Sequence, residues 1–287
     1  MKTIIISDIK GKGESIIPYG LHLAKNIESE VDIIHIIDSR AQQGVQSTYS
    51  DSQSFTPGSK LSHDEIIDRE RHYAEKELDR LLSSEASRLN YPLKINTIIE
   101  VGEVEKKLTG LLNDEGKCLI IANSKHDNYI FHSQQEILEI MQGLKGVPLL
   151  VPSGNTFEQI DNILLIPNFT SEDITRIRDD ISFLEPFKSH VNAVHVEKTD
   201  EFKQNEIKDG VVEDLINKRL TPFTFELNTL TGNNYIETIT NYLNKTNPDL
   251  VLMVKNNKTL FEKILQKRND KNEKLLQDIN YPVLIVK

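Results

Sequence analysis

Residues 117–152 read KCLIIANSKHDNYIFHSQQEILEIMQGLKGVPLLVP, and residues 248–287 repeat the order of this stretch in a degraded form. Each copy has an apolar run, then a segment of helical period, then a second apolar run. The apolar runs are Cys118–Ala122 and Val147–Val151 in the first copy, and Leu250–Val254 and Tyr281–Val286 in the second. Continuous apolar runs separated by a helix are typical of parallel strands buried on both faces. Two copies therefore predict two similar α/β domains.

Length and composition favour the same division into two domains, and they disfavour some classes of partner. At 287 residues the chain exceeds the usual size of one domain. The formal net charge of −10, without a long single-sign block, disfavours nucleic acid or an anionic membrane as the main partner. No apolar run reaches the length of a membrane span, and the first residues lead into a strand rather than a signal peptide. We expect a cytoplasmic protein with no membrane segment.

The first half alternates strands and helices. A strand at 3–8 precedes a helix from about Pro18 to Glu28, and a strand at 31–37 follows. Residues 38–61 are polar and rich in glutamine and serine, which predicts a long loop with few internal contacts. A capping-box pattern at Ser62–Glu65 begins the longest predicted helix, which continues to Leu89. A strand at 93–100 and a short helix at 104–112 complete this half.

The second half repeats the alternation after a turn-rich join at 152–155. The predicted strands and helices follow in chain order: strand 163–166, helix 170–184, strand 191–196, helix 211–216, strand 223–227, and a helix containing Leu243. We therefore predict domains at 1–152 and 158–287. Strict alternation of this kind favours a parallel sheet with helices on both faces.

Several features recur in the same order in both halves. These are a histidine inside the second strand, His35 or His195, a turn at Gly102 or Gly232, and a proline near the start of each closing strand. In this order the chain resembles a tandem universal stress protein over nearly its whole length. The resemblance implies two open, parallel, five-stranded sheets of Rossmann-like type with strand order 3-2-1-4-5. It also implies that the closing strands, 148–151 and 282–286, meet as an intramolecular pseudo-dimer, with a homodimer as a further possibility.

Many members of that family hold ATP at the ends of strands one and four, where the strand order reverses. Nucleotide-binding members carry glycines after strand four, because backbone amides must approach the phosphate oxygens closely. The first half has no glycine in Asn123–Tyr129, and the second replaces the glycines with Lys255–Thr259 and Asn269-Asp270. Lysines at 255 and 258 offset part of the charge of Asp270. The degenerate loops therefore predict weak ATP binding or none.

The resemblance leaves Asp8, Ser124 and Ser133 as a candidate nucleotide-binding site in the first half. Asp8 matches the family aspartate after strand one, and Ser133 matches a family serine at the start of the helix after strand four. An aspartate at a helix N-terminus also has a structural role, so both interpretations of Asp8 stay open. In the second half Pro167-Asn168 occupies the corresponding turn.

The remaining motifs favour structural interpretations. His35 and His195 are single histidines on strands without a second ligand, so core packing is favoured over a metal site. Cys118 is the single cysteine and lies in an apolar run, which excludes a disulfide framework. Gly11–Ser15 matches neither the dinucleotide fingerprint nor the phosphate-binding loop of nucleoside triphosphatases. No catalytic constellation stands out, so we predict no catalytic residue and no metal.

These observations predict a non-enzymatic stress-response or adaptor protein that has a protein partner and no cofactor. One alternative is an ATP-binding regulatory switch that uses the first half. Another is a nucleotide hydrolase of the same wider fold. Retention of adenine nucleotide on purification distinguishes the first two hypotheses, and turnover that is lost on Asp8→Ala would support the third.

Overall fold

The computed structural model describes residues 1–9, 15–38, 63–90, 92–113, 115–124, 130–131, 133–166, 177–197, 223–254 and 281–286. Most of the predicted loop at 38–61, the turn at 11–14, the helix at 211–216 and the lysine-containing segment 255–280 lie outside the described residues. The chain divides into two compact units. The first comprises Met1–Gly146 with Ser153–Phe157, and the second comprises Val147–Pro152 with Glu158–Lys287.

The described part of the first unit alternates strands and helices as predicted. Its strands are β1 (Lys2–Ile6), β2 (Glu30–Ile37), β3 (Ile95–Val101) and β4 (Cys118–Asn123). Its helices are α1 (Ile17–Asn26), α2 (His63–Leu89), α3 (Val104–Leu112) and α4 (Gln134–Gly143). At 27 residues α2 is the longest of the described helices, which confirms that prediction for the described part of the chain.

The core of the first unit surrounds β1, which pairs in parallel with β2 on one side and β4 on the other. Ile5 lies opposite Ile33 and Ile121, and all three side chains are buried. Helix α1 covers this strand through Gly20, where an added Cβ would lie 2.5 Å from Ile5 Cδ1. The continuous apolar runs of the sequence arise because helices cover the central strands.

The second unit has the same plan over its described residues. Its strands are β5 (Val147–Val151), β6 (Asn162–Ile166), β7 (His190–Glu197), β8 (Thr224–Thr231), β9 (Leu250–Val254) and β10 (Val283–Val286). Helix α5 spans Tyr235–Thr246, and a 3-10 helix spans Ser182–Phe187. Strand β6 lies between β7 and β9 in parallel register, and β10 runs parallel to β9.

The predicted helix at 170–184 ends differently from the prediction. Its described part begins at residue 177 and continues into the 3-10 helix, which contains Pro186. Proline lacks a backbone N–H and clashes with the preceding helical turn, so a regular α-helix cannot continue through it. Lys188 then adopts a left-handed conformation with φ of 52° and ends the segment.

Hydrogen bonding links the strands in the order β3-β2-β1-β4-β5-β10-β9-β6-β7-β8. Within each half the order is third, second, first, fourth, fifth, as predicted. The prediction of two separate five-stranded sheets is wrong, because the structure has one ten-stranded sheet. Strand β10 pairs antiparallel with β5, with Val283 opposite Leu150 and Leu284 opposite Leu149. Both strands are buried and apolar, and pairing removes the exposed edge that such a strand would present.

The compact units differ from the predicted domain limits at the join. Strand β5 and Pro152 pack with the second unit, and the next five residues, Ser153–Phe157, pack with the first. We call Ser153–Phe157 the connecting segment. No helix in the described ranges has the length and apolarity needed to cross a bilayer.

Candidate functional site

The carboxylate of Asp8 lies at the carboxyl end of the central strand of the first unit. It accepts hydrogen bonds from Ser15 Oγ at 2.7 Å and from Asn123 Nδ2 at 2.8 Å. The backbone N–H of Ile16, next to the start of α1, lies 3.2 Å and 3.3 Å from its two oxygens. Strands β1 and β4 are neighbours, and the chain leaves β1 for β2 on the opposite side. This is the switch point at which open α/β sheets bind ligands.

Burial dominates the electrostatics of Asp8, which is 6% exposed. Desolvation raises the pKa of Asp8 above its ordinary value. The hydrogen bonds from Ser15, Asn123 and Ile16 act in the opposite direction without reversing the shift. The chain itself therefore supplies the donors that a bound ligand would otherwise present to this carboxylate.

Asn123 is the residue that closes the site on the side of β4. Its Nδ2 donates both to Asp8 Oδ2 at 2.8 Å and to Ser153 Oγ at 2.7 Å, and the residue is 8% exposed. A glycine at this position would leave this volume open, because it has no side chain. The network thus joins the ends of β1 and β4, the start of α1 and the connecting segment.

The sequence prediction placed Asp8 in the site but did not select Asn123, Ser15 or Ser153. Asn123 ends β4, and the carboxyl ends of neighbouring parallel strands meet at one edge, so a signal for it existed. Ser15 has a comparable signal, because it lies two residues before α1, where a serine is a candidate for a hydrogen bond at the helix start. No sequence signal indicated Ser153, whose place depends on the path of the chain after β5.

Ser133 and Ser124 have different surroundings from Asp8. Ser133 is the N-cap of α4, and its Oγ accepts a hydrogen bond from the backbone N–H of Glu136 at 3.1 Å. Ser124 directly follows β4 and is half-buried. Ser133 therefore acts as a helix cap, whereas Asp8 bonds to Ser15, Ile16 and Asn123.

A cavity of about 260 Å³ opens beside the first turns of α3 and α4. Its lining residues are Glu103, Glu105, Glu136, Glu139 and Ile140. A carboxylate in the first turn of a helix interacts favourably with the helix dipole. The same carboxylates repel a phosphate that would use these helix N-termini, since like charges at short range cost free energy.

The two strand histidines are placed differently. His35 is fully buried on β2, and His195 is half-buried at the corresponding position of β7. In the described part of the chain no group of three His, Cys, Asp or Glu residues is placed to hold a metal ion. Cys118 is buried at the start of β4, with its Sγ 3.5 Å from the carbonyl oxygen of Lys145.

Solved structures with this fold include universal stress proteins. One from Archaeoglobus fulgidus DSM 4304 has a TM-score of 0.61 at 10% identity, covering 99% of this chain and 96% of that chain. A structure provisionally assigned as a universal stress protein, from Pseudomonas aeruginosa UCBPP-PA14, has a TM-score of 0.56 at 10% identity, covering 100% and 93%. A protein of unknown function from Pseudomonas aeruginosa PAO1 has a TM-score of 0.54 at 11% identity, covering 100% and 92%.

At these identities the likeness shows the fold alone. No family model and no curated protein matches the sequence. The chain therefore has the α/β fold of its universal stress protein neighbours, with a sheet dominated by parallel pairing.

Proposed function

We propose that this chain is a universal stress-type protein that acts as a non-enzymatic stress-response or adaptor protein in the cytoplasm. Its first half does not bind ATP, and a protein partner is recognised by its surface. The observation that carries the proposal is the occupied carboxylate of Asp8, whose acceptors are engaged by Ser15, Ile16 and Asn123. An incoming ribose hydroxyl would have to displace one of these donors.

The charges around the neighbouring helix N-termini support the same proposal. Triphosphate binding in this fold needs backbone amides that are free to point at oxygen atoms. Ser133 already occupies the first turn of α4, and Glu136 adds a negative charge there. Glu103 and Glu105 add two more carboxylates at the same cavity.

Equilibrium titration of the full chain with ATP and magnesium tests the proposal. We expect no saturable heat at nucleotide concentrations of roughly tens of micromolar. Asp8→Ala is the matched variant, and it should give the same trace as the wild type. A dissociation constant at or below roughly tens of micromolar that Asp8→Ala abolishes would reject the proposal.

A second candidate function is an ATP-binding regulatory switch that uses the first half. The position of Asp8 between the ends of β1 and β4 favours it, because ligands of open α/β sheets bind at this point. Adenine nucleotide retained on the purified protein would support the switch. Steady turnover of ATP that is lost in Asp8→Ala would instead support a hydrolase.

The closing strands suggest how the proposed protein assembles. We propose that β5 and β10 form an intramolecular pseudo-dimer contact, supported by the pairing of Leu284 with Leu149. Leu284→Lys places a charge at a fully buried position and should cost about 2–5 kcal/mol of unfolding free energy. Chemical denaturation measures this loss, and sedimentation analysis tests whether the wild type also forms a homodimer. A Leu284→Lys variant with wild-type stability would contradict the proposed contact.

A further inference from the structure

The connecting segment, Ser153–Phe157, packs with the first unit, although β5 before it and β6 after it belong to the second. Two contacts lie at its ends. Ser153 Oγ accepts the hydrogen bond from Asn123, and the ring of Phe157 meets the ring of Tyr19 edge-on at a centroid distance of 5.3 Å. Tyr19 is buried on α1, so the segment rests on the helix that begins beside Asp8.

The amide of Asn123 connects Ser153 with Asp8. Its NH2 group has two hydrogens, and the two acceptors lie 2.8 Å and 2.7 Å from Nδ2. An ionised carboxylate can only accept hydrogen bonds, so it holds the NH2 side of the amide towards itself. Such a charge-assisted bond is about twice as strong as a neutral one. The orientation in which Asn123 meets Ser153 therefore depends on the charge of Asp8.

We propose that Asn123 is a positioning residue that couples the charge of Asp8 to the connecting segment, which is held while Asp8 is ionised and loosened when Asp8 takes up a proton. The coupling acts on the segment between β5 and β6 and does not depend on whether ATP binds. It gives the protein a means of responding to acidification within the fold.

The surroundings of Asp8 suit this role. Burial raises the pKa of Asp8, so it takes up a proton before a carboxyl group with an ordinary pKa does. The first turn of α1 has no acidic residue, and the connecting segment has no ionisable side chain. At this end of the neighbouring strands the described ionisable residues are Asp38 after β2 and Glu103 after β3.

A fluorescent reporter can follow the segment, because the chain contains no tryptophan. Phe157→Trp places one indole against Tyr19 in the otherwise unmodified full-length chain. We expect its emission to move to longer wavelength as the pH falls through the titration of Asp8, while the far-ultraviolet circular dichroism stays constant. In the same background Asp8→Asn should abolish this pH dependence. A pH-dependent shift that persists in Asp8→Asn, or no shift in the reporter chain itself, overturns the charge coupling.

Hydrogen exchange tests the role of Asn123 at neutral pH. Asn123→Val keeps a similar size but removes both hydrogen bonds, and amide exchange in the connecting segment should accelerate about tenfold. Ser153→Ala, which leaves the bond between Asn123 and Asp8 in place, should accelerate exchange in the same segment. Thr3→Val is the matched control, since it removes a buried hydroxyl contact with Ser29 at the other end of β1. Segment exchange within twofold of wild type in Ser153→Ala, or equal acceleration in Thr3→Val, overturns the proposal.

Discussion

The two halves have different polar side chains at one corresponding strand position, a carboxylate in the first half and an amide in the second. Asp32 on β2 and Asn192 on β7 each follow a buried valine and lie opposite a buried residue of the central strand. In the first half Lys2 Nζ lies 2.7 Å from Asp32 Oδ2 and 2.7 Å from Glu115 Oε1. The hydrogen bonds to Asp32 and Glu115 raise the pKa of Lys2, which stays charged at neutral pH.

In the second half the same position is neutral. Asn192 Nδ2 donates to the hydroxyl of Tyr242 at 2.8 Å, and Asn228 Nδ2 donates to Asn192 Oδ1 at 3.0 Å. Asn162 stands where the first half has Lys2, as the strand registers show. Both halves therefore have a hydrogen-bonded polar side chain at this position, which is charged in the first half and neutral in the second.

The largest effect should come from the central strands, where the halves are alike. Ile121 and Leu252 occupy corresponding positions of β4 and β9, and both are fully buried. Truncation of either to alanine should cost about 2–5 kcal/mol, through lost transfer free energy and the cavity left behind. Urea denaturation of the two variants measures the losses. A loss below about 1 kcal/mol at one position would show that the two cores are not equivalent.

Substitutions that give each half the residue of the other at the position of Asp32 and Asn192 should have a smaller effect on unfolding free energy. Asn192→Asp creates a half-buried carboxylate without the lysine that pairs with Asp32, and we expect a loss of about 1–3 kcal/mol at pH 8. The loss should shrink as the pH falls and the new carboxyl group takes up a proton. The reciprocal Asp32→Asn leaves Lys2 paired with Glu115 and should cost about 1 kcal/mol. Equal losses at pH 8 and pH 4 would contradict this explanation.

Removal of the helix caps in the two halves should cost less unfolding free energy than the variants above. Ser133 accepts from the N–H of Glu136 at 3.1 Å, whereas Asn234 accepts from the N–H of Glu237 at 3.4 Å. Ser133→Ala should cost about 1 kcal/mol, and Asn234→Ala should cost less, because its hydrogen bond is longer. Thermal unfolding of both variants tests the order, and a larger loss at Asn234 would reverse it.

The smallest expected effect at neutral pH is that of Asp8→Asn on global stability. The raised pKa of Asp8 means that the folded chain binds this proton more tightly than the unfolded chain. The contribution of Asp8 to stability therefore decreases as the pH rises from 3.8, the ordinary pKa of an aspartate, through the higher pKa of Asp8 in the folded chain. Relative to wild type, Asp8→Asn should gain stability across that interval. Denaturation midpoints at a series of pH values measure the gain, and a relative loss would contradict burial as the dominant cause.

Local sequence patterns did not predict much of the site. Asp8 and Ser133 were selected through the resemblance, because Asp8 matches a family aspartate after strand one and Ser133 a family serine at the start of the helix after strand four. The bond from Asn123 to Asp8 joins residues 115 positions apart, and the bond from Asn123 to Ser153 spans 30. Such pairs follow from the path of the chain, which local periodicity does not encode.

Local sequence patterns were sufficient to predict the described strands and helices and their order within each half. Buried parallel strands need unbroken apolar runs, and covering helices need one apolar face, so both leave a periodic signal. The pairing of β10 with β5 was expected from the resemblance to a tandem universal stress protein, although no local pattern encodes it. The packing of residues 153–157 with the first unit was not expected from the sequence at all. An apolar strand edge accepts any compatible strand, because backbone hydrogen bonds do not distinguish partners. The pairing is therefore decided by the geometry of the folded chain.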